Sequence, residues 1–127
     1  MADLSFKRLM TDGTFAVNST QRDAWKDDLS KGVGTAVTIT GDKEIGFGSA
    51  GNPLLGIVTK VEFADQGKED MVATVAFTGT FEGIKATGVA AGDNVSVDGA
   101  GGLQKSETDG KALVIAFETD KAIIIMK

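Results

Sequence analysis

Three arrangements in this sequence have residue types and spacings that could do chemistry. Gly46-Phe-Gly48-Ser-Ala-Gly51 matches the G-x-G-x-x-G form of a dinucleotide-binding turn. That turn works between a strand and a helix, because the helix N-terminus holds the pyrophosphate. Here Asn52-Pro53 and a β-like apolar run follow, with no acidic partner in a βαβ setting. A plain glycine loop is the better reading. Asp93-Asn-Val-Ser-Val-Asp98-Gly99 places two carboxylates five positions apart. A calcium loop needs side-chain oxygens at alternate positions, and Val95 and Val97 stand there instead. A hairpin with Asn94–Asp98 as one strand and Asp98-Gly99 at its turn accounts for the same residues. A carboxylate pair for glycoside cleavage is permitted by the number of acids alone. Sugar sites set such acids beside aromatic platforms, however, and the chain has only seven Phe and one Trp. Phe63, Phe77, Phe81 and Phe117 fall in strand patterns that point to the core.

The absences are as informative. The 127 residues contain no histidine, cysteine or tyrosine. Disulfides, thiolate zinc sites, iron–sulfur clusters and every histidine-based triad are excluded. A serine nucleophile would lack its base. The expectation is a protein that is not an enzyme and takes no metal and no cofactor. The net charge is −5 and the pI about 4.6, which disfavours direct contact with nucleic acid. No apolar run approaches the roughly 20 residues that span a bilayer. The first ten residues lack the apolar core of a signal peptide, so synthesis in the cytoplasm and no membrane association are expected. The sequons at Asn18 and Asn94 are read as chance.

The elements that must position these residues divide near Gly32. Residues 1–32 hold five basic and five acidic groups and only two of the 17 glycines. The remaining residues carry the whole −5 and fifteen glycines. This composition predicts two segments: an N-terminal arm with a short helix over 1–32, and one β domain over 33–127. In the first, Thr20-Gln-Arg-Asp23 has the form of a helix cap and Lys31-Gly32 that of a stop, with Trp25 and Leu29 on one face. Upstream, Leu4, Phe6, Leu9, Met10, Phe15 and Val17 are apolar without a sustained period. They suit an extended arm lying on another surface or folded back onto its own domain.

In the second, residues 71–81 alternate with period two, placing Met71, Ala73, Val75, Phe77 and Phe81 on one face. Thr35–Thr40, Leu54–Phe63, Asn94–Asp98, Ala112–Glu118 and Ala122–Lys127 are further strand candidates separated by Gly- and Asp-rich turns. The fold class predicted is mainly all-β: a small antiparallel barrel or sandwich with an extended N-terminal arm and one short helix near residues 20–31. No internal repeat is visible. The run Ala-Ile-Ile-Ile-Met-Lys at the C-terminus is read as a central closing strand, with a subunit seam as the alternative.

From about Gly51 to Lys127 the chain resembles the capsid cement, or decoration, proteins of tailed bacteriophages. The resemblance is carried by Pro53-Leu-Leu-Gly56-Ile-Val58 and by Val72-Ala-Thr-Val-Ala-Phe-Thr-Gly79 with Phe81. Gly92-Asp93-Asn-Val95, Val97-Asp98-Gly99-Ala-Gly-Gly102 and the closing aliphatic strand complete it. It implies a non-enzymatic virion component on the exterior of an expanded capsid, bridging subunits of the major capsid protein. A homo-oligomer, with a trimer favoured, is the expected state. Residues 1–50 lie outside the resemblance. Phe6, Leu9, Phe15, Val17 and Trp25 are the expected capsid-binding anchors, aromatic residues being favoured at hot spots. Another phage structural role, in the tail or head–tail connector, is the alternative, and a soluble ligand-binding β-barrel a more distant one.

Overall fold

A computed structural model describes residues 12–67, 70–107 and 112–126. The first half is built from β1 (Asp12–Val17), α1 (Ser19–Trp25), a 3-10 turn (Leu29–Gly32), β2 (Ala36–Gly41), β3 (Glu44–Gly46), β4 (Gly56–Phe63) and β5 (Met71–Ala76). The second contains β6 (Gly79–Thr87), β7 (Val95–Val97), β8 (Leu103–Lys105), β9 (Ala112–Glu118) and β10 (Lys121–Met126). The all-β expectation holds, with one short helix.

The first five strands close into a barrel in the order β1-β3-β2-β4-β5. β1 completes it, running antiparallel to β5 and parallel to β3. The other five form a rolled sheet in the order β7-β8-β6-β10-β9. Its ends are joined by an antiparallel bridge between Asn94 and Leu113. Replacing β1 to β5 by β6 to β10 turns one circular order into the other. The strand senses agree as well. The first and third strands of each half are parallel, and every other neighbouring pair is antiparallel. The fourth strand of each half even carries an extra, bulged residue against the fifth: Thr59 in β4 and Ile115 in β9. The fold is thus an internal repeat that the amino-acid sequence does not display.

The alternation of 71–81 predicts one strand, and the chain makes two. Met71, Ala73 and Val75 do point into the first barrel. After Ala76 the chain leaves that barrel, and Gly79, at φ 122°, turns it into the second sheet. Phe77 stays with the first core, edge-on to Phe15 at 5.9 Å between ring centres. β10 is central, between β6 and β9, with Ala122, Ile124 and Met126 buried.

The helix is shorter than its sequence signals predict. Asn18, rather than Thr20, caps it, its Oδ1 accepting from the Gln21 N–H at 2.9 Å. It ends at Trp25. The next turn is 3-10, because the Asp28 carboxylate accepts from both the Ser30 N–H and hydroxyl and so competes with helical bonding. Trp25 and Leu29 still face the same way, into the first barrel.

One core fills the first barrel, from Val17, Trp25, Val37, Ile45, Val58, Val61 and Val75 among others. The second core is shared. Ala36, Leu54 and Ile57 of the first barrel pack with Ile84, Val95, Leu103, Val114 and Ile124 of the second sheet. The division predicted at Gly32 therefore follows glycine density and not packing. Residues 12–32 belong to the first barrel, and the change of sheet comes at Phe77-Thr78.

Candidate functional site

Two of the three chemical arrangements, the glycine series of 46–51 and the carboxylates of 93–98, are engaged in turns and loops. Gly46 ends β3, and the loop behind it holds its shape through the Asn52 side chain, which accepts from the Ser49 N–H at 2.8 Å. No helix follows; β4 does. The loop joins the two halves instead. The Gly51 N–H donates to the Val97 carbonyl at 2.9 Å, and the Val97 N–H to the Asn52 carbonyl at 3.2 Å. The Ala36 N–H reaches the Gly101 carbonyl nearby. Gly101 sits at φ 91°, and a Cβ there would meet the Phe47 ring at 2.8 Å.

The two carboxylates of 93–98 are also engaged in turns. Asp93 accepts from the Ala90 N–H at 2.9 Å, and Asp98 from the N–H groups of Ala100 and Gly102 at 2.7 and 3.0 Å. Asp98 thus stabilises the β7–β8 hairpin that the sequence predicts there, and Asp93 the turn that leads into β7. Among the described residues, no group of three acidic, His or Cys side chains is placed to hold a metal, and no helix is long and apolar enough to cross a membrane.

The expected contact anchors separate into three kinds. Phe6 and Leu9 lie outside the described residues. Phe15 is half-buried on β1. Val17 and Trp25 are buried, at 6% and 2% exposure. Trp25 meets Phe47 edge-on at 5.7 Å, and a Cβ on Gly32 would come within 2.8 Å of the indole. This corrects the reading of Val17 and Trp25 as contact residues, and for 12–17 it is the alternative of a segment folded back onto its own domain that holds. β1 has barrel partners on both edges. Its alternation is short, since Gly13 contributes no side chain to the inward series that continues with Phe15 and Val17.

Four large apolar side chains among the described residues are well exposed: Val33, Ile39, Ile115 at 49% and Ile125 at 39%, the last in the C-terminal run for which a subunit seam is the alternative. Ile115 and Ile125 stand on the outer face of β9 and β10 with the half-buried Leu113 and Ile123, Leu113 lying opposite Ile125. Ile115 follows Leu113 by alternation around the buried Val114, and the extra residue in β9 leaves Ala116 on the same face. At the hairpin end the stripe runs into an open cleft of about 630 Å³ bordered by Glu82, Phe117, Glu118, Asp120, Lys121 and Ile123. A smaller groove of about 340 Å³, lined by Thr38, Ile39, Pro53, Leu54 and Leu55, lies on the first barrel.

Compared with known proteins, the chain matches no family model and no curated sequence.

Proposed function

We propose that this protein is a structural virion component that binds the outside of an expanded phage capsid and braces it by bridging major capsid protein subunits. The observation that carries the reading is the series of cement-like segments from Pro53 to Gly102, which falls in order on successive elements. Gly56-Ile-Val58 opens β4, and 72–79 runs through β5 to the start of β6. Gly92-Asp93-Asn-Val95 leads into β7, and 97–102 forms its hairpin loop. An acidic body suits an exterior position, away from packaged DNA. Several symmetric copies, in a trimer, would convert weak single contacts into firm attachment by raising the effective concentration of each later contact. With Val17 and Trp25 in the core, the contact residues reduce to Phe6, Leu9 and the half-buried Phe15.

The test is sedimentation of the purified protein with expanded shells and with unexpanded proheads. Binding to the expanded form alone is expected. Binding to neither overturns the reading. Removing residues 2–11, which leaves β1 whole, should abolish attachment without changing the β-type circular dichroism.

A further inference from the structure

We propose that in the free protein residues 4–10 lie across the outer face of β9 and β10, with Phe6 and Leu9 against Ile115, Ile123 and Ile125. This does not rest on the capsid reading.

The face itself calls for a cover. Four aliphatic side chains, Leu113, Ile115, Ile123 and Ile125, form one stripe on two strands of high β propensity, the arrangement that promotes sheet-to-sheet association when bare. The segment that precedes Asp12 has the right composition. It holds Leu4, Phe6, Leu9 and Met10, with Lys7 and Arg8 against Asp3. Those eleven residues carry +1, so the rest of the chain carries −6 of the total −5. The hairpin end of the face presents Glu82, Glu118 and Asp120 against Lys121, with Lys85 opposite Lys121 on β6. Carboxylates are in excess there, and Lys7 and Arg8 complement them.

Reach is sufficient. Asp12 pairs with Ala76, and Gly79, three residues on, pairs with Met126 beside Ile125. Paired Cα atoms lie roughly 5 Å apart and each residue spans at most about 3.6 Å. Asp12 is therefore within roughly 25 Å of Ile125, and an extended segment of eleven residues spans up to about 36 Å. The groove at Ile39 and Leu55 is the weaker candidate, with no charged residue in its lining.

The chain has no cysteine, so engineered pairs can report the position directly. Ser5→Cys with Thr80→Cys places one thiol in the segment and the other opposite Ile125, leaving every apolar group intact. Ser5→Cys with Lys60→Cys is the control, since Lys60 is exposed on β4 opposite Thr74 and at a similar reach from Asp12. Under mild oxidation the 5–80 pair should close within the monomer at least ten-fold faster than the 5–60 pair. Equal rates would mean no preferred seat and would overturn the proposal. Cross-links formed only between copies would overturn it in favour of a second copy as the occupant. Independently, deleting residues 2–11 should raise binding of an apolar dye several-fold. An unchanged signal would also count against it.

Discussion

At Trp25 an aromatic residue that composition assigns to a contact surface turns out to hold the first barrel together. It closes over Gly32 and Val61 and lies edge-on to Phe47. Trp25→Ala should therefore cost about 3–5 kcal/mol, as large aromatic truncations in a core do, read as a lowered midpoint in urea followed by circular dichroism. The neighbouring Gln21 is buried, and its Oε1 accepts from the Phe47 N–H at 3.1 Å. Gln21→Leu keeps the volume and leaves that donor without its partner, a loss of roughly 1–3 kcal/mol in the same measurement. The titration of Asp28 is shifted. Hydrogen bonds from the Ser30 side chain, and then from its backbone, hold its carboxyl below the usual value of 3.8. A depressed carboxylate favours the folded state above its unfolded pKa, and that contribution is lost as pH falls through the folded value. Carboxyl NMR should find the Asp28 midpoint below the usual 3.8, and Ser30→Ala should move it upward.

Elements were legible where period and packing agreed. β5 and β10 bury alternate residues, so their inward faces could be read directly, and the β7–β8 hairpin was marked by Asp98-Gly99. β3 and β8 were not legible. Each has three residues, too few for a pattern, and each is fixed by its neighbours. β1 is as long as β5, but Gly13 contributes no side chain to its inward face and leaves only Phe15 and Val17 to mark it. The split of 71–81 was hidden because Phe77 and Phe81 continue the alternation across a change of sheet. The exposed stripe follows the ordinary alternation of β9 and β10, but both faces there are aliphatic, so the pattern does not tell the buried face from the open one. The helix cap offers a check at this scale. Asn18→Ala should cost about 1 kcal/mol, since the Gln21 N–H loses the side-chain oxygen that caps it while the backbone bond from residue 18 to the Ile45 carbonyl is kept.

For the whole molecule, the shared core decides cooperativity. Ile57 lies on a first-barrel strand yet packs in the core of the second sheet. The two halves should therefore melt in one transition, with calorimetric and van't Hoff enthalpies equal. Ile57→Ala should lower that single midpoint, at a cost of about 2–5 kcal/mol, instead of splitting it into two. Two separated peaks would contradict the shared core.

The same arrangement has a consequence during synthesis. The pairing of β1 with β5 joins residues 12–16 to 72–76, so the first barrel can close once residue 76 has left the ribosome. At that moment Ala36, Leu54 and Ile57 have no cover, because Leu103, Val114 and Ile124 have not yet emerged. The nascent half is then a closed barrel with a wet apolar flank, and the longer translation pauses over 78–126, the longer that flank stays open to other chains. Uninterrupted translation of the second half would serve in place of a chaperone.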